Sequence, residues 1–421
     1  MSRILLDLTH TSHTRARTGI QRVCRSLHTA LAAQPDGVQA VCYDPYERAW
    51  RPLRDWERRN LASSNDAAAG ARGAHWPLRA KLGGWLRWRC RQPATAHLRG
   101  ADASPALGGA AGAKSPRPPP PDHGLVVPEL FSAQVARALP ALLARVAGPR
   151  VALFHDAIPL RLPELSPPKS VARFPAYLQE LLVFDGVAAV SADSGQALVD
   201  YWQWLGASRP PPVVTLAPGL DAAVTSPYGH TRAPGAPPVV LSIGSLEGRK
   251  NHVALLEAAE ILWRRGRRFE LRLIGLAHPQ TGRAALQRIH ALQIAGRPVR
   301  YDGPADDDTV RAAYRDCAFT VYPSLMEGFG LPVLESLSYG RPCICSAHGT
   351  LGASARDGGC LRLEQLDASS IAGAVERLLA DPECLEVLAQ GAGRRLFKAW
   401  PSYARELTAW MGSLPRRGAA G

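Results

Sequence analysis

Two carboxylates, Glu327 and Glu335, flank a short turn that contains Gly328, Gly330 and Pro332. A carboxylate accepts hydrogen bonds from hydroxyl groups, and sugars carry such groups in vicinal pairs. Glu335 is therefore a candidate for the two ribose hydroxyls of a nucleotide, and Glu327 for the hydroxyls of a second sugar. In the structural alternative, Glu335 complements a helix dipole and Glu327 is a solvated loop residue. The complete pattern of acids, glycines and proline favours the functional interpretation.

The turn lies between a predicted strand and a predicted helix. Residues 319–322 are β-branched and aromatic, which is typical of a buried strand. Pro332 suits the first turn of a helix that ends by Gly340, and we expect Glu335 in that first turn. Free N–H groups at a helix start, together with the helix dipole, favour a bound phosphate. The residues expected to surround this phosphate are Gly328, Phe329, Gly330 and Leu331.

A second candidate phosphate site follows the predicted strand at 239–244. Its last residue, Gly244, leads into a loop that carries Arg249 and Lys250. An arginine binds two oxygens as a fork and a lysine acts as a point charge, so the pair can neutralise a diphosphate. Lys250 is one of only five lysines among 50 basic residues, a hint that its compact ammonium matters. We expect this loop and the first turn to hold the same pyrophosphate at the strand ends.

The N-terminal half begins with a strand pattern at residues 3–8, followed by a loop and a helix that starts at Gly19. Arg15, Arg17 and Arg22 lie in this region. They are candidates for phosphate contacts, although solvated side chains are the simpler interpretation in so arginine-rich a chain.

A later apolar strand ends in His155 and Asp156. Strand ends are where α/β sheets place ligands, so His155 is a candidate for a sugar contact. In the structural alternative, His155 is hydrogen-bonded to the backbone and Asp156 caps the following turn.

At these motifs the chain resembles a known family. The string EGFGLPVLE at 327–335 resembles the signature of retaining glycosyltransferases of the GT-B fold, the large family 4 or "group 1". Residues 249–251, RKN, resemble that family's phosphate motif, although Ser245 stands where many members have an arginine. Residues 218–221, PGLD, resemble the element that closes the first domain.

The resemblance implies an α/β protein with two doubly wound, Rossmann-like domains that face a cleft. It implies an acceptor-side domain at 1–222 with a basic, proline-rich insertion at about 45–122, a linker at 223–237, and a nucleotide-sugar-binding domain at 238–396. Residues 397–421 would form a helix that packs back on the first domain.

The resemblance also implies roles for individual residues, with the donor sugar held mainly by the second domain and no metal ion. Gly19 matches the second of two glycines that lie against the donor phosphates, and His155 matches a histidine near the reacting carbon. The implied catalytic residues are Glu327, His155, Lys250 and Arg249. The implied donor-binding residues are Glu335, Gly328, Phe329, Gly330, Leu331, Gly244 and Gly19.

Composition limits the number of domains, the cellular location and the kinds of partner. The 421 residues, 46% of them apolar, are enough for two domain cores. No stretch approaches 18 consecutive apolar residues, so we expect a cytoplasmic protein. Eight cysteines without a C-x-x-C pair argue against a disulfide framework or a zinc site. The net charge of +14 indicates anionic partners such as diphosphates, lipid headgroups or nucleic acid.

Residues 76–91 interleave tryptophan and leucine with arginine. On a helix, Leu78, Leu82, Trp85 and Leu86 would share one face, opposed by basic residues. Such a helix either lies on an anionic membrane, here the inner face of the cytoplasmic membrane, or packs on its own domain. The pattern leaves both open.

The function expected from these features is retaining, metal-independent transfer of a hexose from a nucleoside-diphosphate sugar to a glycan or lipid-linked glycan. The opening THTSHTRARTGIQRV resembles that of mannosyl transferases of polysaccharide assembly, which makes GDP-mannose the first expectation for the donor. No cofactor beyond this co-substrate and no specific nucleic acid are expected. The alternatives are a GT-B epimerase or phosphorylase, or a catalytically inactive basic protein that binds glycan or nucleic acid.

Overall fold

The computed structural model of the chain describes residues 4–14, 19–62, 76–91, 123–221 and 235–415. These residues form two α/β domains, each built on one sheet of mostly parallel strands. The strands of the first sheet are β1 (Ile4–Asp7), β2 (Val38–Asp44), β3 (Ala49–Pro52), β4 (Gly124–Val127), β5 (Arg150–Phe154), β6 (Gly186–Ala189) and β7 (Val213–Thr215). The strands of the second sheet are β8 (Val239–Ile243), β9 (Glu270–Ile274), β10 (Val299–Tyr301), β11 (Phe319–Tyr322), β12 (Cys343–Ser346) and β13 (Cys360–Leu363).

Helices connect and cover these strands. Those before β8 are α1 (Gly19–Ala32), α2 (Asp55–Ala62), α3 (Leu78–Arg91), α4 (Ala133–Leu143), α5 (Ile158–Arg161), α6 (Pro168–Glu180) and α7 (Ala192–Trp204). Those after β8 are α8 (His252–Arg264), α9 (Arg283–Ile294), α10 (Asp307–Asp316), α11 (Leu331–Ser338), α12 (Gly349–Ser354), α13 (Ala368–Ala380), α14 (Pro382–Gly393) and α15 (Trp400–Ser413). In the part of the chain described, no helix is both long and apolar enough to cross a membrane.

Strand order places the functional loops. The second sheet runs β10-β9-β8-β11-β12-β13, with every adjacent pair parallel. The order reverses between β8 and β11, and ligands of doubly wound sheets bind outside the carboxyl ends of the strands at such a reversal. The two predicted phosphate loops follow β8 and β11, so they lie on the two sides of this point. The five strands predicted for this half are confirmed.

The first sheet runs β3-β2-β1-β4-β5-β6-β7, with only β3 antiparallel to its neighbour. Residues 49–52, which the sequence placed in an insertion, thus add an edge strand to the sheet. Most of the proline-rich part of that insertion lies outside the described residues, as do Arg15 and Arg17 and most of the predicted linker.

The last helix, α15, belongs to the core of the first domain. Its buried side chains Trp400, Tyr403, Leu407 and Met411 pack in one cluster with residues of β1, β5 and α1. The crossing is tight: Leu220 donates its N–H to the Lys398 carbonyl at 2.8 Å. A Cβ on Gly219 would lie 2.5 Å from the Trp400 nitrogen, so only glycine fits beside the returning chain.

Candidate functional site at the cleft

The two domains touch where their strand ends face each other. A Cβ on Gly328, in the loop after β11, would overlap the carbonyl oxygen of His155, which follows β5. The Ser194 hydroxyl, at the start of α7, contacts the His155 carbonyl at 3.0 Å and the Gly328 carbonyl at 3.3 Å. The glycine-rich turn therefore lies directly against the first domain because it has no side chain at this position.

The basic loop after β8 is shaped by one glycine and one left-handed residue. Gly244 has φ +152°, and a Cβ there would lie 3.7 Å from the Lys250 ammonium nitrogen. A 3₁₀ turn over Gly248–Lys250 then brings both basic residues back toward the strand ends. Asn251 ends that turn with φ 56° and donates its side-chain amide to the Leu366 carbonyl at 2.7 Å. The loop is therefore held at both ends.

Arg249 and Lys250 converge on Glu327, as their shared site requires. The Arg249 guanidinium donates to Glu327 Oε2 at 2.8 Å and to the Met326 carbonyl at 3.1 Å, and Lys250 Nζ contacts Glu327 Oε1. Arg249 also reaches Glu247 at 3.2 Å. Burial acts to raise the pKa of Glu327, but the two cations outweigh it and lower that pKa to about 2. Glu327 is therefore ionised and is not a solvated loop residue.

We expect this pairing to appear in the pH dependence of stability. The pKa of Glu327 is lowered from 4.5 to about 2 by folding, so its contribution to stability is complete above pH 4.5 and is lost as pH falls toward 2. The difference in unfolding free energy between the wild type and Glu327→Gln should shrink by about 2 kcal/mol between pH 7 and pH 3, measured by urea denaturation. Other titrating groups cancel in this difference. A difference that stays constant over this range would contradict the pairing.

Glu335 lies across the same turn but has different partners. It is the fifth residue of α11, so the expectation that it lies in the first helical turn is wrong; the first turn consists of residues 331–334. Its carboxylate forms an ion pair with Arg22 of α1 and accepts a hydrogen bond from the Tyr314 hydroxyl at 3.3 Å. Glu335 raises the pKa of Arg22. Glu335 is thus buried against the first domain and does not complement the helix dipole.

Arg22 is the partner of Glu335, and the sequence did not predict this pair. The sequence made it a phosphate candidate or a solvated residue, and the structure shows it in an ion pair between the two domains. No local pattern connects α1 with a helix more than 300 positions later in the chain. Only the domain arrangement brings the pair together.

His155 and Asp156 make the contacts of their structural alternatives. The Nε2–H of the buried His155 donates to the Pro128 carbonyl at 2.7 Å, which fixes the tautomer if the ring is neutral. Burial lowers the pKa of His155, so the ring stays neutral at pH 7. Asp156 Oδ1 accepts from the Ile158 N–H at 3.0 Å, and burial raises the pKa of Asp156. Both residues nevertheless lie at the cleft, next to Gly328.

The remaining predicted residues lie at two helix starts. Gly330 precedes α11 with φ +79°, a left-handed conformation that favours glycine, and its neighbour Phe329 accepts a 3.4 Å hydrogen bond from Ser354. Leu331 packs partly against the first domain. Gly19 begins α1 and is exposed, and residues 15–18 before it lie outside the described ranges.

A buried polar cluster at the end of β1 was not foreseen. Asp7 is the last residue of β1, His13 lies in the loop after it, and Glu129 follows β4; all three side chains are buried. Thr11 donates its N–H to Glu129 at 3.0 Å, and Thr9 donates to Asp7 at 2.9 Å. Burial raises the pKa of Asp7 to about 6 and raises that of Glu129 well above its usual value. The dense THTSHT string was the only sequence signal for this cluster.

Two groups within the described residues bring metal-ligand types together. His13, Cys42 and Glu57 form one, but Arg51 holds the Glu57 carboxylate with two 2.7 Å hydrogen bonds, which leaves it a poor ligand. The other is a trio of thiols on β12 and β13, consisting of Cys343, Cys345 and Cys360. We assign no ion to either group.

Comparison with known proteins finds a family match in the second domain. Residues 230–395 match the model of a protein family described as Glycosyl transferases group 1. The serotype-specific mannosyltransferase WbdA of Escherichia coli is 26% identical over 367 residues, covering 81% of this chain and 38% of that protein. A D-inositol 3-phosphate glycosyltransferase of Acidothermus cellulolyticus is 32% identical over 198 residues, covering 44% of each chain. This chain therefore spans less than half the length of both relatives.

Solved structures share the architecture over nearly the whole chain. A sucrose-phosphate synthase from Thermosynechococcus elongatus superposes with a TM-score of 0.65 at 18% identity, covering 98% of this chain and 99% of that one. Anabaena HepE, solved with UDP and glucose, has a TM-score of 0.60 at 14% identity, covering 98% and 100%. At such identities the likeness concerns the fold alone. The predicted fold of two Rossmann-like domains, GT-B, is confirmed.

Proposed function

We propose, because residues 230–395 match the model of the glycosyl transferases group 1 family, that this chain is a retaining hexosyltransferase. In this proposal it moves a hexose from a nucleoside-diphosphate sugar to a glycan or lipid-linked glycan in polysaccharide assembly. The observation that carries the proposal is the convergence of Arg249 and Lys250 on Glu327 beside the start of α11. Two fixed cations and a helix start at a strand-order reversal suit a diphosphate.

The proposed chemistry follows from these charges. Breaking the bond between the sugar and the diphosphate builds negative charge on the leaving group, which Arg249, Lys250 and the first N–H groups of α11 stabilise as it grows. These groups supply the charge stabilisation without a metal ion. The acceptor hydroxyl attacks from the face that the diphosphate leaves, and a departing phosphate oxygen takes its proton. The anomeric configuration is thereby retained.

Donor binding requires an exchange of partners at Glu327. Its carboxylate contacts the same two cations that the diphosphate needs. A diphosphate carries more negative charge than one carboxylate, so we expect it to take over Arg249 and Lys250. Glu327 is then released to accept hydrogen bonds from the donor sugar. In the same way, the ribose hydroxyls compete with Arg22 for Glu335.

The proposal also gives the first domain a role, since this domain carries His155 and the acceptor side of the site. His155 lies against the glycine-rich turn and, as a neutral ring, would contact the donor sugar near its reacting carbon. The mannosyltransferase relatives support a mannosyl donor, with GDP-mannose as the first candidate. A lipid-linked acceptor places the proposed enzyme at the inner face of the cytoplasmic membrane.

A panel of nucleotide sugars tests the proposal. We expect GDP-mannose to raise the melting temperature of the full chain more than the UDP sugars do, and saturating ligand at about 100 times Kd to add about 3 kcal/mol of stability. Failure of every sugar nucleotide to bind at millimolar concentration would remove the proposal. Sugar-nucleotide interconversion without an acceptor would favour an epimerase, and phosphate-dependent turnover would favour a phosphorylase. Strong, salt-sensitive nucleic-acid binding without donor binding would favour an inactive basic protein.

A further inference from the structure

Helix α3 presents an unpartnered apolar stripe to solvent. Leu78, Leu82, Trp85 and Leu86 are 75%, 62%, 43% and 54% exposed, respectively. Their spacing puts them on one face of the helix. Four large apolar side chains together on one exposed face are unusual on the surface of a soluble domain. The helix packs on its own domain through its opposite face, and the described residues leave this apolar face uncovered.

The opposite face anchors the helix and explains its orientation. A Cβ on Gly84 would lie 2.8 Å from the Tyr46 side chain, so the helix packs closely on the segment after β2. Arg87 forms an ion pair with Glu47, and Arg48 lies over the Trp88 ring at 4.3 Å. Gly84, which weakens an isolated helix, thus permits close packing here. The face that carries Gly84 is inward and the leucine face is outward.

The charge around the stripe indicates its partner. Arg79 and Lys81 flank it, Arg89 lies over the Trp85 ring at 5.2 Å, and no acidic residue occurs between residues 76 and 91. A basic helix with an exposed leucine and tryptophan face matches an anionic lipid surface in both charge and polarity. A protein groove that bound the same face would need acidic residues around an apolar centre.

The segment that leads into α3 is also fixed to the loop that follows β1. Trp76, just before α3, stacks on the buried His13 ring with 3.9 Å between centroids. His13 belongs to the turn that follows β1, at the carboxyl edge of the first sheet. A surface bound by α3 would therefore lie at the side of the first domain that carries the proposed acceptor region.

We propose that α3 docks the chain on an anionic membrane, with the Leu78, Leu82, Trp85 and Leu86 face in the interface and the flanking basic residues on lipid headgroups. This inference goes beyond the proposed transfer reaction, because membrane docking needs neither donor nor acceptor. A failed vesicle experiment and a failed nucleotide-sugar experiment can therefore be told apart.

Flotation of the full chain with vesicles tests the docking. We expect binding to vesicles of equal parts phosphatidylcholine and phosphatidylglycerol, at least tenfold weaker binding to phosphatidylcholine alone, and release at about 1 M salt, where the Debye length falls to about 3 Å. The double variant Leu82→Gln/Leu86→Gln should bind about tenfold less. A matched control, Ile294→Gln/Leu396→Gln, removes side chains that are 89% and 98% exposed elsewhere and should bind like the wild type.

A single label reports the contact directly. All eight cysteines lie in the described residues, and of these only Cys90, on α3, is exposed. An environment-sensitive dye on Cys90 should shift its emission to the blue with anionic vesicles. Unchanged flotation of the Leu82→Gln/Leu86→Gln variant, or equal binding to neutral vesicles, would overturn the proposal. Light scattering that shows a dimer for the wild type and a monomer for the same variant would also overturn the proposal. The face would then bind a second copy of the chain.

Discussion

Replacement of Lys250 by alanine will lower kcat by about 10²- to 10³-fold, the loss typical when one donor to a developing negative charge is removed. The ammonium is placed by the turn that ends at Asn251 and contacts Glu327, so alanine removes a positioned charge. Arg249 remains on Glu327 at 2.8 Å, so the carboxylate keeps a partner and the fold persists. Turnover with the sugar nucleotide identified by thermal shift, together with the melting temperature, measures both effects.

A matched variant separates the site from a general loss of charge. Lys398→Ala removes a lysine that also pairs with a glutamate, Glu406, but on the helix that returns to the first domain. Its kcat should equal that of the wild type. Lys250→Arg should retain only part of the activity, because a planar fork replaces a compact ammonium. Full turnover in Lys250→Ala would remove the phosphate role of this loop.

Replacement of Gly328 by alanine will lower kcat by about 100-fold, while donor binding persists. The new methyl group would overlap the His155 carbonyl oxygen, so the two domains could not approach as closely as they do in this structure. A misplacement of about 1 Å between reacting groups costs on the order of a hundredfold in rate. Arg249 and Lys250 are unchanged, so the donor affinity obtained from thermal-shift titration should remain within about twofold of the wild-type value.

Small-angle scattering provides the structural readout for this variant. Gly328→Ala should have a larger radius of gyration than the wild type with saturating donor. The control is Gly373→Ala, in the middle of α13, where an added Cβ has no neighbour within 4 Å. That variant should match the wild type in both kcat and scattering. Equal compactness and equal turnover in Gly328→Ala would show that this contact is not part of the working state.

Local patterns predicted five of the six strands of the second domain, all but β13, because each of the five is specified by adjacent residues. The β-branched run at 319–322, the glycines of the following turn and the basic pair after Gly244 each specify a backbone geometry on their own. Their meeting at one edge followed from the rule for parallel sheets. The family resemblance added the roles, and the confirmed fold supports the resemblance.

What could not be predicted depends on contacts between distant segments. Arg22 meets Glu335 only because the two domains face each other, and neither residue carries a sequence signal for the other. The inward face of α3 depends on the fit of Gly84 against Tyr46, which amphipathic spacing alone cannot decide. The helix start at Leu331 put Glu335 one turn later than expected, which turned its carboxylate toward α1.

The paired crossing at Leu220 and Ala399 limits how the cleft can open. The chain leaves the first domain and returns to it along two neighbouring segments that form a parallel bridge. Two adjacent tethers behave as a single hinge, which permits rotation about one axis and resists twist or sliding. Opening must therefore swing the loop at Gly328 away from His155 along an arc centred on this hinge. Substrate entry would then require a hinge rotation whose axis is set by the two crossing segments.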